Sequence, residues 1–110
     1  MLTYVNLRET SDEDGNRQLG ASLKDDGTIV VHGHDLGPGV ESFFGPGITE
    51  YEWALSIRPS GVRVLKMALA CDADVLTALR DRFSGDAAAN LQDFLDDNAV
   101  PYEFWSRVEE

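Results

Sequence analysis

The chain has 110 residues, enough for one hydrophobic core and too few for two, so a single domain over residues 1–110 is expected. Twenty acidic side chains against nine basic ones give a net charge of −11, which repels nucleic acid and anionic membranes and favours cationic partners. No secretory signal or membrane-length apolar run is present, and the single cysteine cannot form an internal disulfide. These features predict a cytoplasmic protein.

The first half of the chain alternates apolar and polar residues with a period of two, which predicts β-strands. Three strands are expected, at residues 2–8, 18–24 and 28–34. Asp26-Gly27, between the second and third, is a strong hairpin signal. A fourth strand, residues 50–58, has large apolar residues at its odd positions and mostly polar ones at its even positions. That pattern is typical of a sheet covered on one face only.

A run rich in glycine and proline, residues 36–48, separates the third and fourth predicted strands. Because both residue types interrupt helices and strand ladders, we expect an irregular connection, which would let the fourth strand cross to another edge. Connections this long are usually functional or disordered, and the adjacent Phe43 and Phe44 argue against disorder. The two rings either fold back over the core or point outward as an anchor for a partner.

The second half of the chain has apolar residues at helical spacing and predicts three helices. Ser60 is a candidate N-cap for the first helix, and Asp72 or Asp74 for the second. The aromatic segment 101–107 is either a short edge strand or an ordered tail. Strands followed by helices predict an α+β fold: a four-stranded antiparallel sheet, formed as an N-terminal meander, with three C-terminal helices packed on one face.

Two histidines and two glutamates form a candidate metal site. His32 and His34 are two residues apart on one predicted strand, and Glu50 and Glu52 have the same spacing on another. Each pair therefore points to one face of the sheet. If the strands are neighbours, the four side chains could converge on zinc or iron. The alternative is an ordinary solvated face with no cofactor.

The sequence contains no convincing catalytic nucleophile. Asp35 could orient one of the histidines, but Cys71 lies beside Asp72 and Asp74, whose charges would raise the pKa of its thiol. A buried, inert cysteine is therefore expected. We assign no catalytic residue and expect a protein that is not an enzyme.

These observations favour a non-enzymatic protein-interaction module of an immunity or regulatory type. Its partner would be a protein, with a basic surface to complement the acidic one. The candidate contact residues are Glu41, Phe43, Phe44 and Trp105. The alternative function is a divalent-metal-binding protein or metal-dependent enzyme that uses the face with the histidines. Homodimerisation through an open sheet edge is a third possibility.

Three segments carry a resemblance to a set of small bacterial proteins that are frequent in actinobacteria. They are His34-Asp35-Leu36-Gly37-Pro38, Glu50-Tyr51-Glu52-Trp53 and Val100-Pro101-Tyr102-Glu103-Phe104-Trp105. The chain resembles these proteins from about Leu23 to Arg107. No activity, cofactor or catalytic residue is assigned to them, so the resemblance implies only that the three segments belong together.

Overall fold

The structure, a computed structural model, describes residues 2–13, 15–70 and 74–109. Within these residues it is an α+β fold with one antiparallel sheet of five strands, in the order β1-β2-β3-β4-β5. The strands are β1 (Tyr4–Asp12), β2 (Gly15–Leu23), β3 (Ile29–Leu36), β4 (Glu50–Ile57) and β5 (Glu103–Glu109). The α-helices are α1 (Pro38–Phe44), α2 (Pro59–Leu69), α3 (Val75–Phe83) and α4 (Leu91–Asp97), with a 3-10 helix (Gly85–Asn90) before α4.

The predicted α+β class and antiparallel sheet are confirmed, but the predicted number of strands is wrong. The aromatic tail forms a fifth strand, which pairs with β4 from Glu50 opposite Glu109 to Ser56 opposite Glu103. An edge strand was one of the two alternatives for this segment. Such a strand needs a partner on one side only, so a short segment at the end of a chain can form one.

The predicted number of helices is also wrong, because the run rich in glycine and proline contains α1. Pro38 lies in the first turn of α1, where a backbone N–H would have no partner within the helix. Gly45, with a φ of 115°, follows its last turn in a conformation that favours glycine. These residues therefore delimit a short helix within a connection that we predicted to be irregular.

The fourth strand does not cross to another edge. β4 pairs with β3 along its whole length, from Ile57 opposite Ile29 to Glu50 opposite Leu36. Every strand thus lies beside its neighbour in sequence. The α1 connection spans one hairpin, with a hydrogen bond from Gly37 N to Thr49 O (2.8 Å) at its base.

The core lies between one face of the sheet and helices α2 to α4. Its largest fully buried side chains include Leu55 and Ile57 from β4, Leu65 from α2 and Leu76 from α3. Burying a side chain of this size contributes about 1.5–3 kcal/mol, so the helices are held mainly by these contacts.

The Asp74 carboxylate accepts a hydrogen bond from Leu76 N (3.0 Å) and so caps α3. Asp72, the alternative cap, and Cys71 lie outside the described residues. None of the helices described here has the length and apolar character needed to cross a membrane.

Candidate functional site

The four candidate metal ligands lie together on the side of the sheet opposite the helices, which we call the open face. His32 and His34 alternate along β3 with the buried residues Val31 and Gly33, so their imidazoles point away from the core. Glu50 and Glu52 take the same side of β4, since His34 pairs directly with Glu52. The two histidines therefore share one side of β3 and the two glutamates one side of β4, as predicted. The sequence did not determine whether these strands are neighbours, and the structure shows that they pair.

Each histidine bonds the glutamate that lies diagonally across the ladder. His32 Nε2 lies 2.9 Å from Glu52 Oε1, and His34 Nε2 lies 2.7 Å from Glu50 Oε1. Diagonal neighbours on adjacent strands are within reach of long side chains, which explains this pattern. The two imidazole centroids are 6.5 Å apart. The result is two parallel His–Glu pairs rather than one four-membered cluster.

Arg107 of β5 completes the open face, and no pattern in the sequence predicts it as a site residue. It lies directly opposite Glu52, and its Nη2 donates to Glu52 Oε2 at 2.8 Å. Its Nε lies 3.1 Å from Glu109 Oε1. The alternation of Trp105 and Arg107 along the tail was the only available signal, and it has meaning only once this segment is a strand beside β4.

The electrostatics of the open face centre on Glu52. The hydrogen bond from His32 is the main cause that holds the pKa of the Glu52 carboxyl below its ordinary value, and the Arg107 guanidinium acts in the same direction. Glu52 is therefore an anion tied to two partners.

A smaller set of donor atoms on the open face has a geometry that suits a metal ion. His34, Glu50 and Glu52 each offer one ligand atom, and these three atoms lie within 4.8 Å of one another. One imidazole and two carboxylates are a donor set that zinc accepts. His32 is outside this triad and contacts it through Glu52, as an outer residue that orients a ligand would.

Phe43 and Phe44 lie on α1, on the helix side of the sheet, and their two rings have different surroundings. Phe44 packs on Tyr51 with ring centroids 4.9 Å apart, whereas Phe43 is 82% exposed. The rings of Phe43 and Phe44 are 4.8 Å apart. Glu41 accepts a hydrogen bond from Gly47 N (3.3 Å), so its carboxylate supports the turn after α1.

Trp105 is not brought together with the two phenylalanines. It pairs with Ala54 on the open face, where its half-exposed ring lies 5.9 Å from the Arg107 guanidinium. The aromatic residue of β5 on the helix side is Phe104, which stacks on Trp53 with centroids 6.2 Å apart. The four predicted contact residues therefore belong to two opposite sides of the sheet.

Asp35 also lies away from the histidines, on the helix side, directly opposite Arg17 and Tyr51. It does not orient either imidazole. Burial raises the pKa of its carboxyl, and the charges of Arg17 and Arg8 offset only part of that effect.

Comparisons of the chain with protein-family models, with curated proteins and with solved structures gave no match.

Proposed function

We propose that the protein binds a divalent metal ion, zinc in the first instance, on the open face through His34, Glu50 and Glu52. The observation that carries this proposal is the convergence of one imidazole and two carboxylates whose ligand atoms lie within 4.8 Å of one another. They come from two strands that pair in register, so the backbone beneath them is held by the ladder. Zinc holds nitrogen and carboxylate oxygen ligands at about 2.0–2.2 Å, so its ligand atoms lie within a few ångströms of one another, as these three do.

The neighbours of the triad suit such a site. His32 bonds Glu52 at 2.9 Å, and Arg107 bonds its other oxygen at 2.8 Å. Partners of this kind fix the orientation of a ligating carboxylate. Three protein ligands also leave a coordination position for water or for a substrate.

The test is to titrate zinc into metal-free protein and to measure the binding by calorimetry. We expect one zinc ion per chain, with affinity reduced tenfold or more in Glu50→Gln. Glu103→Gln is the matched control, because Glu103 lies on the same face, is paired with Arg58 at 2.6 Å and is outside the triad. Equal weakening by both substitutions would show only general attraction of a cation to an acidic surface and would refute the site.

Thermal melting gives a second measurement on the same samples. A ligand at 100 times its Kd stabilises a fold by about 2.7 kcal/mol, which corresponds to roughly 12 °C for a domain of this size. A melting temperature that does not move at excess zinc argues against binding to the folded chain.

A protein-interaction module remains the second candidate, and the exposure of Phe43 favours it. A ring that is 82% exposed beside Phe44 and Tyr51 presents apolar area to solvent, and aromatic residues are enriched at protein interfaces. The net charge of −11 favours a basic protein as the partner, in an immunity or regulatory role.

Phe43→Ser should abolish capture of a specific partner. Met67→Ser is the control, since Met67 is 81% exposed on α2.

A further inference from the structure

A cleft on the helix side of the sheet is not part of the proposed metal site, although Phe43 of the second candidate function is among the residues that line it. It lies between α1 and the strands β2, β3 and β4, and has a volume of about 340 Å³. Val40, Phe44 and Tyr51 line it with apolar surface, and Arg17 and Asp35 with opposite charges. Ligand pockets cover about 300–1,000 Å³, so this cleft suits a molecule of amino-acid size rather than a dinucleotide.

The two charged residues of the cleft are neighbours that do not pair. Arg17 and Asp35 are directly opposite each other on β2 and β3. Side chains in that relation have Cβ atoms about 4.5–5.5 Å apart, close enough for an ion pair. Among the residues that the structure describes, however, neither takes part in an ion pair or side-chain hydrogen bond. A carboxylate and a guanidinium are thus both available to a third group.

Burial makes the free carboxylate costly and points to a ligand. Asp35 is half-buried, so its carboxylate is only partly solvated, and it lines the cleft opposite Arg17 without an ion-pair partner among the described residues. Arg8, a cation near Asp35, has a buried Nε without a hydrogen-bond partner in the described part of the chain. A buried polar atom without a partner, such as Arg8 Nε, destabilises the fold, and a role of this end of the sheet in binding would account for it.

The signs of the charges select the chemical class of the ligand. A simple ammonium ion would be attracted by Asp35 and repelled by Arg17. A simple carboxylate would be attracted by Arg17 and repelled by Asp35. A molecule that carries both groups on one carbon atom, as an α-amino acid does, satisfies both residues at once. Its apolar part would lie against Phe44 and Tyr51, whose ring centroids are 4.9 Å apart.

We propose that this cleft binds a free α-amino acid with an apolar side chain, with its ammonium at Asp35, its carboxylate at Arg17 and its side chain against Val40, Phe44 and Tyr51. Because the cleft and the triad on the open face lie on opposite sides of the sheet, either site can fail without the other.

The test uses the wild-type protein and three probes in calorimetry: L-phenylalanine, N-acetyl-L-phenylalanine and 2-phenylethylamine. The second probe lacks the ammonium group and the third lacks the carboxylate. Hydrogen bonds to charged groups change affinity by roughly tenfold or more, so both derivatives should bind at least ten times more weakly than phenylalanine. If either derivative binds as well as phenylalanine, or if phenylalanine does not bind, the proposal is wrong.

Substitution of the two charged residues tests where the ammonium and the carboxylate of the ligand lie. Asp35→Asn and Arg17→Gln should each weaken phenylalanine binding about tenfold or more, whereas Asp97→Asn and Arg63→Gln, at exposed positions on α4 and α2, should not. Amide chemical-shift changes on adding phenylalanine should centre on residues 35, 40 and 51. Shifts centred elsewhere would overturn the assignment, and circular dichroism establishes that each variant is folded.

Discussion

Gly33 offers the sharpest test of how the sheet is packed, because an aromatic ring occupies the space that a side chain would need. Gly33 lies between His32 and His34 and pairs with Trp53. A Cβ atom at Gly33 would lie 2.3 Å from Cε2 and Nε1 of the Trp53 indole, where ordinary contacts are 3.4–4 Å. Gly33→Ala therefore has to displace a ring that packs against the core and stacks on Phe104.

The expected cost follows from two opposing effects. Forcing a larger side chain into a packed site costs about 1–3 kcal/mol, whereas replacing glycine in a strand gains about 0.5–1 kcal/mol. Taking the centres of the two ranges, the free energy of unfolding should fall by about 1.3 kcal/mol. With an unfolding entropy of about 0.23 kcal/mol/K for 110 residues, the melting temperature should fall by roughly 6 °C.

Gly20→Ala is the matched control, because a Cβ there would lie 2.4 Å from Tyr4 Oη. The Tyr4 side chain is 55% exposed and can rotate into solvent, so this variant should change stability by less than about 0.5 kcal/mol. A double-mutant cycle in denaturant completes the test. In a Trp53→Leu background, Gly33→Ala should be neutral or stabilising. The same loss in both backgrounds, or no loss in the wild type, would refute the packing argument.

Three further predictions concern the core, a helix cap and acid stability. Leu65→Ala removes a fully buried side chain from α2 and should lower the free energy of unfolding by about 2–5 kcal/mol, measured in urea. Asp74→Ala removes the cap from Leu76 N and should cost about 1 kcal/mol, whereas Asp74→Asn should retain most of it. The folded pKa of Glu52 is lowered, so the stability it contributes is present above the ordinary glutamate pKa of about 4.3 and is lost as pH falls through the folded value. Glu52→Gln should therefore lose less stability than wild type on acidification over that range, and identical acid profiles would contradict this.

The elements with strong local signals could be predicted from the sequence. Period-two alternation placed four strands, the Asp26-Gly27 turn joined two of them, and apolar spacing placed the helices that cover the sheet. Alternation also fixes which side chains share a side of one strand, so His32 and His34 could be assigned to one face, and Glu50 and Glu52 to one face of another strand. These conclusions depend only on residues close together in the chain.

Features that depend on distant residues could not be predicted. β5 forms because residues 103–109 find an open edge at β4, and that contact brings Arg107 to Glu52 across more than fifty residues. Helix α1, in the connection between β3 and β4, could not be predicted because proline and glycine interrupt a helix when they lie inside it. Both are common at the ends of helices, where Pro38 and Gly45 lie.

The sequence by itself therefore determined which residues face the same way, since side-chain direction is a local property of the backbone. Only the tertiary structure decided which of them meet. Strand register placed Glu52 beside His34 and within reach of His32, and left Arg17 and Asp35 facing a shared cleft. The packing of α1 on the helix side of the sheet separated Phe43 from Trp105, which lies on the open face. The physical reason is that register and sheet order are set by the combined burial of the whole core, which no short segment encodes.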